Sequence, residues 1–161
     1  MQYSANDKFI IEVIRQDRDK GFRLLIGKYK EPIYWHIRRI TVIHDDAEDA
    51  MQETFIRIFR ALDTMTNADS LTAWIYRIAT NEALRLRSRH KDLTLSIDDC
   101  SAMDAGGLIA DDYIDFTDIE TVRLQKAILS LPPKQQAAFN LRYYDDMTYE
   151  AIAQIMETSP G

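Results

Sequence analysis

Between Ala47 and Leu62 the side chains that favour burial recur at intervals of three and four: Ala47, Ala50, Met51, Thr54, Phe55, Ile58, Phe59 and Leu62. That period belongs to a helix with one inward face; a strand, whose faces alternate, cannot satisfy it. The same spacing runs through Phe22, Leu25, Ile26, Tyr29, Ile33, Ile37 and Ile40, and again through Leu71, Trp74, Ile75, Ile78, Ala79 and Leu86. A shorter set, Phe9, Ile10, Val13 and Ile14, precedes them. The expected class is all-α.

Local signals divide these runs. Ser4, Asp19 and Ser70 are expected helix caps, and the third helix is expected to begin near Asp45. Pro32 falls inside the second run, where a kink or break is expected. Further on, Val122, Leu124, Ile128 and Leu131 line a helix that Pro132-Pro133 stops, with Pro133 suited to the first turn of the next. That helix is expected to reach about Tyr144, Asp145-Asp146 to turn the chain, and Thr148 to cap a short helix carrying Ile152, Ala153 and Ile155.

Charge separates the chain into parts. From Asp92 to Val122 there is no Lys or Arg, whereas acids recur and Gly106-Gly107 interrupts any helical period. Residues 92–117 read as an acidic flexible linker between two small helical modules, 1–91 and 118–161. The net charge of −6 comes from that stretch; the remainder is slightly basic, so the total does not exclude a nucleic-acid partner. No apolar run approaches the roughly 18 residues of a membrane span, and the start, MQYSANDKF, lacks a signal-peptide pattern. Cys100 is the only cysteine, which excludes a disulfide framework and a Cys-based zinc site; a cytoplasmic location is expected.

Two helices carry functional signals. On the third, Asp49, Gln52, Glu53 and Ile56 share an outward strip, an apolar anchor among acids suited to a basic protein partner. On the fourth, Arg77, Arg85, Arg87, Arg89 and Lys91 are interleaved with Tyr76 and Asn81. Such a face suits nucleic acid, with Arg on phosphates, Asn81 on a base edge and Tyr76 stacking. The intervening loop, Asp63 to Asp69, with Met65 and Asn67, is short and polar enough to cradle an unpaired base. No catalytic constellation, cofactor motif or metal site is expected. His36, His44 and His90 are scattered, and His44 with Asp45, Asp46 and Glu48 is expected not to converge. Met147 to Ser159 begins a helix–turn–helix whose second helix is not in the sequence.

The runs DDAEDAMQETFIRIFRAL (45–62) and LTAWIYRIATNEALRLRSR (71–89) resemble the second region of extracytoplasmic-function (ECF) sigma factors, members of the sigma-70 family. ILSLPPKQQAAFNLRYYDDMTYEAIAQIMETSPG (128–161) resembles their fourth region, cut within its helix–turn–helix. The resemblance implies a transcription initiation factor that is not an enzyme. It implies that Asp49, Gln52 and Glu53 dock on the clamp coiled coil of the largest subunit of core RNA polymerase. It implies that the 63–70 loop and the following helix, with Asn81, read and melt the single-stranded non-template strand of the promoter −10 element. An anti-sigma factor is the further partner implied. Met65 departs from the aromatic that relatives often carry in the loop, and recognition of a −35 element is not expected. The competing reading, a helical protein-interaction adaptor without DNA-binding activity, leaves the Arg-rich helix without a role.

Overall fold

The structure is a computed structural model that describes residues 3–65, 70–94 and 119–157, with side chains from 6 to 89 and from 119 onward in those segments. All regular elements among them are helical: α1 (Tyr3–Gln16), α2 (Arg18–Thr41), α3 (His44–Ala61), a 3-10 turn (Leu62–Thr64), α4 (Leu71–Thr94), α5 (Ile119–Ser130), α6 (Pro133–Tyr143) and α7 (Tyr149–Met156). Residues 92–94, read as linker, continue α4; the rest of the expected linker, with Cys100, lies outside the described residues.

Helices α1 to α4 form one bundle around Leu25, Ile33, Ile37, Ile40, Ile58, Leu62, Leu71 and Ile75, all essentially inaccessible to solvent. The inward face of α1 is rotated from the expected one. Ile10 and Ile11 are buried, whereas Phe9 is 55% exposed. The rotation follows from Asp7, which is buried and accepts hydrogen bonds from Tyr29 Oη (2.9 Å), Lys28 Nζ (2.5 Å) and Thr72 Oγ1 (3.2 Å). A buried carboxylate requires such partners, and satisfying them turns Phe9 outward. Gly21 permits the close approach of α1 to α2: a Cβ there would lie 2.4 Å from the Ile14 side chain and 2.6 Å from its backbone.

Asp17, not Asp19, caps α2; its backbone is extended and its side chain accepts from Lys20 N at 3.1 Å. Pro32 does not break α2, which runs unbroken from Arg18 to Thr41. Its ring is exposed, and the burial of Tyr29, Ile33, His36 and Ile37 holds the helix on both sides of the missing N–H. The exit from α2 is Val42 at positive φ (φ 68°, ψ −35°), whose N–H bonds Arg38 O. This is costly for a β-branched residue, and it directs the chain back into α3.

In the second module Pro133 sits in the first turn of α6, and Thr148 caps α7 by accepting from Ala151 N at 3.1 Å. Asp146 takes the left-handed conformation (φ 50°) that lets the chain turn between the two helices.

This module packs on the first, α6 against α2 and α7 against α4; Ala137, Leu141, Ile152 and Ile155 join the apolar core, and a seam of polar groups runs beside them. His36, fully buried on α2, pairs through Nε2 with Thr80 Oγ1 (2.7 Å) and through Nδ1 with Asp145 Oδ2 (3.1 Å). Arg39 Nη1 lies 3.7 Å from Asp145 Oδ1, and the guanidinium sits over the Tyr144 ring. Gln136, also buried, donates to Arg39 O (3.2 Å) and accepts from Arg87, which in turn donates to Ile40 O (3.2 Å). Burial lowers the pKa of the Arg87 guanidinium.

Candidate protein and nucleic-acid surfaces

The amphipathic period of α3 sends Ala47, Ala50, Thr54 and Ile58 inward. Asp49, Gln52 and Ile56, at offsets of three and seven, consequently stand on the outer side, all exposed. Ile56 is 44% exposed, a large aliphatic side chain left in solvent between polar neighbours. Glu53 is half-buried and accepts from Arg57 Nε at 3.0 Å. The predicted strip is thus assembled on one helix face, with Glu53 drawn toward its Arg partner.

Helix α4 places Arg77, Asn81, Arg85 and Arg89 four residues apart, each turned by about 40° from the one before, so Arg77 and Arg85 flank Asn81 closely and Arg89 lies further round. Asn81, Arg85 and Arg89 are exposed; Arg77, partly exposed, lies 3.7 Å from Glu157 across the seam. The expectation that Tyr76 offers a stacking surface is corrected. Tyr76 is 4% exposed, with its ring 5.2 Å from that of His36. Five residues turn a helix by about 140° beyond a full turn, so Tyr76 cannot share the Asn81 side and faces the core. Met65 is half-buried against the core cluster at the end of the 3-10 turn. Asn67 lies outside the described residues.

Glu82 is a further residue of this region, outside the predicted strip and row. Its side chain is 4% exposed and receives two guanidinium groups: Arg57 Nε from α3 at 2.8 Å and Arg85 Nε and Nη2 at 3.0 and 2.7 Å. The signal in the sequence is an acid in the middle of a basic run, three residues before an Arg. His36 carries one too, as a polar residue within the stripe Ile33, Ile37, Ile40.

His44, Asp45 and Glu48 do converge, contrary to expectation, with ligand-type atoms within 4.8 Å of one another. All three are exposed, and both imidazole nitrogens already have neighbours: Tyr34 Oη at 2.6 Å from Nδ1 and Glu48 Oε1 at 3.3 Å from Nε2. Among the described residues no helix is long and apolar enough to cross a membrane.

Comparison with known proteins places the chain in a family. Residues 25–92 match the model of sigma-70 region 2, and residues 121–161 match that of sigma-70 region 4. The whole chain aligns with the ECF RNA polymerase sigma-E factor of Haemophilus influenzae, 25% identical and covering 89% of that protein. It aligns likewise with the factor of the same name from Escherichia coli K12, 28% identical and covering 88% of it. Among solved structures, CnrH in complex with the cytosolic domain of CnrY is similar over 96% of this chain and 85% of that one, with a TM-score of 0.67 and 17% identity. The sigma factor RpoE of Bartonella quintana, in complex with the anti-sigma factor NepR, is similar over 88% and 86%, with a TM-score of 0.62 and 20% identity. With a region 2 bundle, a region 4 module behind it in the same order, and relatives matched along its full length, the chain belongs to the sigma-70 family as an ECF sigma factor.

Proposed function

We propose that this sigma factor docks on core RNA polymerase through the outer strip of α3 and reads and opens the promoter −10 element through α4 and the loop before it. One observation carries the reading. Adjacent helices of a single bundle expose an acidic strip with an apolar anchor and a row of Arg around Asn81. The first suits a basic protein surface and the second a DNA strand.

Asp49, Gln52 and Glu53 face the clamp coiled coil of the largest subunit, and Ile56 supplies the contact that water leaves on docking. Arg77, Arg85 and Arg89 hold the strand by its phosphates, while Asn81 reads a base edge of the non-template strand. Met65 and Asn67 belong to the loop that receives an unstacked base. Unstacking costs about a few kcal/mol, which a preformed pocket for the extruded base offsets. The protein performs no covalent chemistry, needs no cofactor and works in the cytoplasm with the polymerase. The anti-sigma partner in the RpoE complex supports an anti-sigma factor as the partner that restrains this chain too.

The test uses a strand selected from a random single-stranded pool by the polymerase complex. Asn81→Ala is expected to weaken binding to the selected strand about ten-fold more than to a scrambled one, roughly the worth of one base-edge contact. Equal losses on both strands would make Asn81 a general contact and overturn the reading role. No strand binding at all by folded protein would favour the adaptor.

A further inference from the structure

Among the described residues of the first module, Glu82 is the buried acid whose partners run outward to both proposed surfaces. Asp7, the other carboxylate buried as deeply there, is engaged by Lys28, Tyr29 and Thr72, none of which belongs to either surface. Glu82 follows Asn81 directly. Its Oε1 forms an ion pair with Arg57 of α3, 2.8 Å from the Nε whose hydrogen bond goes to Glu53, and its Oε2 accepts from the Nε and Nη2 edge of Arg85. Arg57 Nε is in turn 3.0 Å from Glu53 Oε1. A line of alternating charge, Glu53, Arg57, Glu82, Arg85, therefore runs from the acidic strip of α3 to the basic row of α4.

The exposure of the members shows what the line does. The Glu82 carboxylate is buried, whereas the side chains of Arg57 and Arg85 are 51% and 40% exposed. A carboxylate buried for packing alone would be replaceable by an apolar residue of the same size. Here it grips one edge of a long, otherwise mobile side chain and leaves the rest of the planar head at the surface. Arg is suited to this, since its fork of donors lets one edge be anchored while another faces a ligand. Arg85 lies one turn beyond Asn81 on the same side of α4, where a phosphate of a strand touching Asn81 would pass.

We propose that Glu82 is a positioning residue: it fixes Arg85 for a backbone phosphate of the promoter strand, and through Arg57 it sets that contact relative to the polymerase-docking strip of α3. The inference rests on the functional reading above and deepens it, since Glu82 itself touches neither partner.

The test measures binding of the full chain to the selected single strand across a range of salt. Wild type, Arg85→Ala, Glu82→Gln, Glu82→Leu and the Arg85→Ala/Glu82→Gln pair are compared, with thermal melting alongside. A phosphate contact on a single strand contributes about 0.7 to the slope of log affinity against log salt. Arg85→Ala is expected to remove about that much slope and about ten-fold in affinity. Glu82→Gln is expected to lower the slope by a similar amount although Arg85 is still present. In the Glu82→Gln background, Arg85→Ala should then cost less than about two-fold, the signature of two residues acting as one. Glu82→Leu, which removes both acceptor oxygens and suits a buried site, should repeat the result if the Gln variant melts early.

A role confined to folding would change melting and leave the salt slope intact. That outcome, or an equal loss from Arg85→Ala in both backgrounds, overturns the inference while the functional reading stands. A wild-type chain that shows no salt-dependent strand binding overturns both.

Discussion

Single side chains in this molecule are fixed by where buried polar groups find partners. Asp7 is the clearest case, since three donors from α2 and α4 converge on it. Asp7→Ala removes the carboxylate that Lys28, Tyr29 and Thr72 share and is expected to cost about 3 kcal/mol, as for a broken buried pair, in urea unfolding followed by circular dichroism. A loss below about 1 kcal/mol would show that α1 is held by Ile10 and Ile11 alone. The sequence showed that α1 was amphipathic but not which residues faced in, because the decisive factor was a carboxylate whose partners lie 21 to 65 residues away. Tyr76 was misplaced for a related reason. Arg neighbours in sequence suggested a shared surface, yet one residue along a helix swings a side chain by about 100°. The Asn81 side was legible from its spacing of four with Arg77 and Arg85, whereas Glu82 needed coordinates, since nothing in the sequence pairs it with Arg57.

The helices themselves were legible from their apolar period, because burial of one face outweighs local preference. Their punctuation was less so. Asp17 and Asp19 are both acceptable caps, and the choice falls to the one that lets Gly21 meet Ile14. Gly21→Ala is accordingly expected to destabilise the bundle by about 1–3 kcal/mol, as for an overpacked contact, despite the higher helix propensity of Ala. A stabilised variant would show that α1 can shift away freely. A kink or a break was expected at Pro32; the break does not occur, since packing on both flanks carries the helix through. For α3 the relevant property is what its outer face does not do. Ile56→Glu removes an exposed anchor and should alter stability by no more than about 0.5 kcal/mol, while abolishing most of the affinity for polymerase. A large loss of stability would place Ile56 in the core instead.

At the scale of the whole molecule, the docking of the two modules was beyond the reach of the sequence. The seam pairs residues about a hundred positions apart, His36 with Asp145 and Arg39 with Gln136, and no local period announces such contacts. Its polar character has a consequence. Asp145→Ala leaves His36 Nδ1 and Arg39 without their carboxylate in a place closed to water, a loss worth about 1–3 kcal/mol per unsatisfied group. The variant is expected to show a larger radius of gyration in X-ray scattering, with both modules still folded. An unchanged radius would mean that apolar contacts between α4 and α7 suffice to hold the arrangement. The most direct test of the account is the affinity of the full chain for core bacterial RNA polymerase, measured beside an Asp49→Ala/Gln52→Ala/Glu53→Ala variant of equal stability. Tight binding by the wild type, weakened at least about a hundred-fold in the variant, a loss within the range of a few hot-spot residues, is the predicted result; equal binding by both chains, or none by either while folded, would contradict it.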